Sequence, residues 1–151
     1  MKGIIKAVIT ILLLTVLPSC LQNNGHIGPW YGMWKLTSLT IDGQEDPEYE
    51  GDVFWKFQTG VIQMDKFVDD GYIASTGTWK DKDNILELTY DYYDDSTPEP
   101  EKSQKYTTLK GMHLPSTGVI NLEINKRPSS SMQLTYRSKD GKTYVYKFKK
   151  W

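Results

Sequence analysis

The feature that most constrains the fold is a series of short segments in which apolar and polar residues alternate, each ended by turn-forming residues. Alternation with a period of two predicts strands that bury one face, and no long stretch after residue 19 shows the 3.6-residue period of an amphipathic helix. Eight segments are predicted as strands, at residues 33–41, 53–58, 61–68, 72–80, 85–92, 119–125, 132–138 and 143–149. A ninth, 105–114, fits either one or two helical turns or another short strand.

Tight connections between these segments predict that neighbours pair antiparallel in chain order. The longest interruption, 93–104, is acidic and contains Pro98 and Pro100, which predicts a loop. Asp140-Gly141 is a hairpin turn signal. We therefore predict an all-β fold, an antiparallel up-and-down barrel of about eight strands. A barrel of that size either fills with side chains or holds one small ligand.

The first twenty residues predict export. Lys2 and Lys6 precede an uncharged, mostly aliphatic run at 7–17, which is too short to span a bilayer. The run ends in Leu17-Pro18-Ser19-Cys20, which resembles the lipobox of bacterial lipoproteins. That resemblance implies a signal peptide at 1–19, lipidation of Cys20, a tether at 20–29 and a barrel domain at 30–151. The alternative is an ordinary secretory signal with an incidental cysteine.

Cys20 is the only cysteine in the chain, so it cannot form an internal disulfide. Lipidation of Cys20 explains why the chain has one cysteine and no others. Two or more acyl chains attach a protein stably to a membrane. We expect the protein in the cell envelope, anchored through Cys20 to the outer membrane. Residues 21–24 carry no charge, so the periplasmic and surface faces both stay open.

Composition excludes several functions. Without Lys2 and Lys6 the net charge falls from −1 to −3, which gives nucleic acid binding no electrostatic basis. The two histidines, His26 and His113, match no zinc spacing, and no serine sits in a nucleophile elbow. The acidic stretch at 91–101 lacks the spacing of a calcium loop and is predicted to be solvated surface. We predict no enzyme, no metal site and no cofactor.

The pair Trp-Lys occurs three times, at residues 34–35, 55–56 and 79–80, each within a predicted strand, so indole and lysine should face opposite ways. Gly32 and Gly77 precede two of these pairs, and glycine permits close backbone approach beside a bulky ring.

Gly32-Met33-Trp34-Lys35-Leu36 resembles the Gly-x-Trp opening of lipocalins, and more closely the lipocalin-like domains of small bacterial lipoproteins. The Asp-Gly turn at 42–43 and the aromatic-lysine ending at 144–150 extend the resemblance. It implies a lipocalin-like barrel with Trp34 at the closed end and, by analogy, a cavity for a small apolar molecule.

Seven aromatic residues predicted to face the interior are the candidate ligand-binding residues: Trp34, Trp55, Phe57, Trp79, Tyr90, Tyr144 and Tyr146. They either stack on a ligand or simply fill the space, and buried tyrosine hydroxyls need partners. The predicted function is a membrane-anchored binding protein for a small, partly apolar ligand. The alternative is an envelope protein–protein interaction or inhibitor module that uses the loop at 93–104 and has a filled barrel.

Overall fold

The structure, a computed structural model, describes residues 28–91 and 106–151. The predicted signal peptide, Cys20 and the loop at 93–104 lie outside these residues. The strands are β1 (Gly32–Ile41), β2 (Gln44–Glu45), β3 (Val53–Phe57), β4 (Val61–Val68), β5 (Gly71–Lys82), β6 (Ile85–Tyr90), β7 (Gly118–Lys126), β8 (Ser131–Arg137) and β9 (Thr143–Lys150). No helix long and apolar enough to cross a bilayer occurs within the described ranges.

The strands form one antiparallel sheet in the order β2-β1-β3-β4-β5-β6-β7-β8-β9, and β1 also pairs with β9. That last pairing closes eight of the strands into a barrel, so the predicted all-β, up-and-down architecture is confirmed. The ninth strand, β2, has two residues and pairs with the end of β1. It falls in a region that sequence alone predicts to be loop.

The barrel interior is built by the alternation that predicts the strands. In β3, Val53, Trp55 and Phe57 are buried, and the strand pairs with β4 so that Trp55 lies opposite the buried Met64. The alternation is interrupted once in β1, where the pairing with β9 shifts between residues 36 and 38. This bulge lets both Leu36 and Leu39 point inward, where an unbroken strand would place one of them outside.

Gly77 lies inside β5 at a point where the backbone of β6 comes close. A Cβ atom at Gly77 would stand 2.7 Å from the carbonyl oxygen of Thr89 and 3.0 Å from the ring of Tyr90. The close approach expected at this glycine is therefore present, and the ring beside it belongs to Tyr90.

One end of the barrel, the tryptophan end, is closed by packed aromatic rings. Trp30 lies 5.2 Å from Phe57 and 5.7 Å from Trp79 between ring centroids, and Trp34 donates its indole N–H to the Trp30 carbonyl oxygen at 2.7 Å. The Trp30 indole N–H bonds Asp81 at 2.8 Å on the outside of this cluster. The chain enters the described structure here, at Gly28.

The opposite end is covered by residues 106–117, named here the cap segment. It contains neither helix nor strand, so the ambiguous segment at 105–114 is turn-like wherever the structure describes it. Leu109 and Met112 of the cap segment are buried and belong to the barrel's apolar core. The cap segment therefore closes part of the barrel mouth with side chains of its own.

Candidate functional site

A cavity of about 640 Å³ lies at the cap end, between the β4–β5 hairpin and the cap segment. Its lining consists of Glu48, Lys66, Val68, Ile73 and residues 107–111. Val68 and Ile73 are 44% and 42% exposed, an unusual exposure for aliphatic side chains that point toward a barrel mouth. The cavity thus offers a ligand a partly exposed apolar surface.

The β4–β5 hairpin positions this lining by its register. Lys66 lies opposite Ile73, and Met64 lies opposite Ser75 one step deeper, so these four side chains share the inner face. Phe67 lies opposite Tyr72 and occupies the outer face. The inner face therefore changes from the buried Met64 and Ser75 to the cavity lining at Lys66 and Ile73.

The charged groups of the cavity are mixed. The Lys66 ammonium lies 3.4 Å from the Asp52 carboxylate, and Glu48 also lines the space. The second oxygen of Asp52, Oδ1, is buried without a hydrogen-bond partner. A polar group of a ligand would therefore meet both signs of charge here, at the edge of an apolar surface.

Below the cavity lies Tyr90, one of the seven predicted ligand-binding residues. Its hydroxyl is buried without a hydrogen bond of ordinary geometry, and the neighbouring Ser75 hydroxyl donates instead to the carbonyl oxygen of Thr107, a cavity residue. Burial raises the pKa of the Tyr90 phenol well above its usual range. The phenol O–H is therefore a buried donor without a partner in the described part of the chain, beside Ser75 and close to the cavity residue Thr107.

Of the other six predicted residues, Tyr144 lies at the cap end, stacked on His113, and five lie deeper or at the far end. Trp34, Phe57 and Trp79 belong to the tryptophan end, and Trp79 is only partly buried there. Trp55 and Tyr146 pack against each other in the interior at 5.7 Å, and Trp55 packs against Phe148 at 4.9 Å. The structure thus brings these rings together as a packed core, and their contact with a ligand stays a prediction.

Trp55, like Tyr90, places an unpaired polar atom in this core. Its indole N–H is buried without a hydrogen-bond partner among the described residues. Tyr146, by contrast, donates its hydroxyl to the Met112 carbonyl oxygen at 2.6 Å. Burial raises the pKa of Tyr146, and the neighbouring Tyr144 and Tyr136 raise it further, so this bond to the cap segment persists at neutral pH.

The cap segment is also fastened by a hydrogen bond between His113 and Asp46, which is an ion pair when His113 is protonated. His113 Nε2 lies 2.8 Å from Asp46 Oδ2, and the His113 ring stacks on Tyr144 at 5.1 Å with 14° between the planes. His113 adopts a φ of 55°, in the left-handed region. The Asp46 carboxylate also accepts the backbone N–H of Glu48 at 3.0 Å, so one acid ties the cap segment to the loop that follows β2.

We expect Asp46→Asn to loosen the cap segment. Burial alone would raise the pKa of Asp46, but the hydrogen bonds from His113 and the Glu48 backbone, with the charge of His113, leave it below 3.8. A lowered folded-state pKa means that this carboxylate stabilises the fold above about pH 4 and stops doing so as the pH falls through the lowered value. Hydrogen exchange of peptides from 106–117 should accelerate in Asp46→Asn, corresponding to about 1.5–3 kcal/mol.

A surface ion pair supplies the control for this experiment. Glu87 lies 3.7 Å from Lys80 on the outer surface, with the Lys80 side chain 77% and the Glu87 side chain 37% exposed, so Glu87→Gln should leave exchange in the cap segment unchanged. Equal exchange of 106–117 in wild type and Asp46→Asn would show that the ion pair does not fasten the cap.

The cavity lining was not among the residues that sequence reasoning singled out. Val68 and Ile73 fall in predicted strands, but nothing in the alternation separates a residue at a barrel mouth from one in its core. Residues 107–111 lie in the segment whose structure stayed ambiguous. The one sequence signal was the presence of Val68 directly before the Asp69-Asp70-Gly71 turn and of Ile73 two residues after it, where a hairpin tip is normally polar.

Among residues 28–91 and 106–151, no group of three or more histidine, cysteine, aspartate and glutamate side chains could hold a metal ion. A second hollow, of about 280 Å³, lies outside the barrel and is lined mainly by polar side chains: Lys82, Asp83, Ile85, Glu87 and Asn121. The cap-end cavity is therefore the better candidate site.

Comparisons with known proteins agree with this architecture. A family model described as a lipocalin-like domain matches residues 12–151. A crystal structure of a lipocalin-like protein from Bacteroides uniformis ATCC 8492 is 19% identical, with a TM-score of 0.56, over 82% of this chain and 100% of that one. An uncharacterized protein from Bacteroides eggerthii DSM 20697 is 23% identical, with a TM-score of 0.56, over 81% and 99%. A search of curated proteins found no match.

Proposed function

Since the chain belongs to the lipocalin-like domain family, we propose that it is a lipid-anchored envelope protein that binds a small, partly apolar molecule in the cap-end cavity. The family's fold is a binding fold, and the proposal contains no catalytic step. Cys20 is the proposed anchor, with residues 20–29 as the tether. The outer membrane is the proposed site of attachment.

The observation that carries the proposal is the cavity itself. Its volume of about 640 Å³ falls within the about 300–1,000 Å³ that is usual for small-molecule sites. Val68, Ile73 and Leu109 supply apolar surface, and Lys66 supplies one polar group at its edge. Sites of this kind bind the body of a ligand by apolar contact and orient it with a few polar groups.

The position of the cavity also suits an anchored protein. The chain enters the structure at the tryptophan end, where Lys150 donates to the carbonyl oxygens of Pro29 and Tyr31. The cavity lies at the opposite end, beneath the cap segment. A tether at one end therefore does not obstruct the mouth at the other.

Filling the cavity should abolish binding. We expect Ile73→Trp to weaken binding of the apolar anion 8-anilinonaphthalene-1-sulfonate at least about tenfold, because the indole would occupy the space that the probe needs. Fluorescence titration measures the affinity, and native mass spectrometry of the purified protein shows whether a small molecule co-purifies.

Val119→Trp is the matched control, since Val119 is an equally aliphatic side chain that is 58% exposed on β7, away from the cavity. Its affinity for the probe should equal that of wild type. If Ile73→Trp binds the probe as well as Val119→Trp does, the cavity is not the binding site.

A second candidate function is a protein–protein module, in which the loop at 93–104 contacts the partner. The observation that favours it is the dense aromatic packing around Trp55, which leaves the barrel centre filled. Under this alternative no small molecule co-purifies, and Ile73→Trp binds the probe with the same affinity as wild type. Replacing residues 93–104 by a short glycine-serine linker abolishes capture of an envelope partner.

A further inference from the structure

The outer surface of β1, β3, β4 and β5 carries three exposed rings, packed around the buried Phe54 and bordered by partly exposed lysines, that the cavity does not use. We name it the aromatic wall, and it consists of Lys35, Phe54, Lys56, Phe67, Tyr72 and Trp151. Trp151 is 69% exposed, Tyr72 59% and Phe67 47%. Large rings exposed side by side on a barrel wall mark a surface that meets something apolar.

Phe54 holds the aromatic wall together. Its ring packs edge-on against Phe67 at 5.2 Å and against Trp151 at 5.3 Å, and Phe67 in turn lies 6.3 Å from Tyr72. Trp151 is fixed by its backbone N–H, which donates to the Met33 carbonyl oxygen at 2.9 Å. The rings therefore form one continuous strip with a defined shape.

Lysines border the strip on the same face. Lys35 Nζ lies 5.9 Å from the centre of the Phe54 ring and 5.4 Å from that of Trp151, and Lys56 Nζ lies 5.8 Å from that of Tyr72. Lys149 is paired with Lys35 across the β1–β9 ladder and is exposed. The side chains of such lysines lie along apolar surface while their charges reach a polar boundary.

The carboxylate within this face is hidden. Asp65, opposite Phe54 in the β3–β4 ladder, has an exposure of 0% and forms an ion pair with Lys56 and a hydrogen bond with Gln63 at 2.7 Å. Because Asp65 pairs with Lys56, the unpaired positive charge of this face comes from Lys35 and Lys149. Asp69 and Asp70 are exposed, but they belong to the hairpin tip beyond Phe67 and Tyr72, at the edge of the strip.

We propose that the aromatic wall lies against the surface of a phospholipid bilayer. Rings with polar edges and lysines with long apolar stems are the side chains favoured at a membrane interface, and positive charge attracts anionic lipid headgroups. The proposal deepens the anchored function above and rests on its lipid anchor for proximity to the membrane.

The tether brings the wall within reach. Cys20 lies eight residues before Gly28, a span of at most about 29 Å when fully extended. A ten-residue strand such as β1 is itself about 33 Å long, so the barrel cannot move further from the bilayer than roughly its own length. Trp151 lies near the tether, because its backbone bonds Met33 close to the start of β1. A short tether raises the effective concentration of the wall at the bilayer.

The test uses the acylated protein, purified from membranes and reconstituted in vesicles of phosphatidylcholine and phosphatidylglycerol. Because Cys20 is the only native cysteine and is blocked by acylation, Phe67→Cys introduces a single reactive thiol for a nitrobenzoxadiazole dye. Phe67 is the penultimate residue of β4, at the far end of the strip from the tether, so it reports on the part of the wall that the anchor alone does not hold at the bilayer. Val119→Cys, on the outer surface of β7, is the matched control on the opposite side of the barrel from the aromatic wall.

Docking predicts that iodide quenching of the dye at residue 67 is about threefold or more weaker than at residue 119, with blue-shifted emission at 67 alone. Replacing Lys35 and Lys149 by alanine should weaken docking about fivefold per lysine and restore quenching at 67, while Lys139→Ala, at the β8–β9 turn, should not. Equal quenching at the two positions in acylated protein overturns the proposal.

Failure of the anchor is a separate outcome. Intact mass shows whether Cys20 carries acyl chains. If it does not, the anchor proposal fails, and the same labelled proteins are added to the vesicles from solution, with Cys20→Ser to remove the second thiol. A blue shift at residue 67 alone then still supports the wall, and no shift at either position overturns it.

Discussion

Replacing Trp34 by alanine is expected to lower the free energy of unfolding by about 3–5 kcal/mol, a large part of the about 5–15 kcal/mol that keeps most domains folded. Trp34 has an exposure of 0%, donates to the Trp30 carbonyl oxygen, and lies under the Lys150 ammonium at 4.4 Å. Removing its ring leaves a cavity at the tryptophan end and an unpaired carbonyl. Urea unfolding monitored by circular dichroism measures the loss.

Trp151→Ala is the control for this prediction, because it removes the same side chain from a site where 69% of the residue is exposed. We expect it to cost less than about 1 kcal/mol. A loss for Trp34→Ala no greater than that of Trp151→Ala would show that the indole of Trp34 does not close the barrel end.

Replacing Cys20 by serine is expected to move the protein from the membrane fraction to the soluble fraction. Two acyl chains hold a protein on a bilayer stably, whereas the aromatic wall alone gives only reversible contact. Fractionation of cells followed by immunoblotting measures the distribution. Ser19→Ala, one residue earlier, is the control and should leave the protein in the membrane fraction.

Two outcomes of that experiment contradict the anchor. One is persistent membrane association of Cys20→Ser after a high-salt wash, which removes electrostatic contact. The other is an unmodified Cys20 in the intact mass of the wild-type protein. Either would return residues 1–19 to the alternative of an ordinary secretory signal.

The fold was predictable because apolar and polar residues alternate along a barrel strand that buries one face and exposes the other. In β9, Tyr144, Tyr146 and Phe148 are buried and Lys147 and Lys149 are exposed, as the period of two requires. The two-residue β2 was not predictable, since a pairing that short has no period. The bulge in β1 was missed for the related reason that one extra residue changes the face of every residue after it.

The candidate site was less predictable than the fold. Tyr90 was found because it is an inward ring on a clear strand, but the lining residues come from a hairpin mouth and from a segment without periodicity. Gly111 and His113 in that segment have φ values of 89° and 55°, and such local turns carry no pattern that places Leu109 in the core. The His113–Asp46 ion pair joins residues 67 positions apart, a distance that sequence reasoning does not bridge.

The pairing of β1 with β9 means that the barrel closes only after both strands have been synthesised. A hydrogen bond from Thr37 to the carbonyl oxygen of Lys147 joins residues 110 positions apart, and the barrel cannot close before β9 has been synthesised. Folds that depend on such distant pairings form slowly, on a scale of about milliseconds to seconds. For a protein that we propose is exported to the envelope, slow closure leaves time for the chain to cross the membrane before the barrel forms.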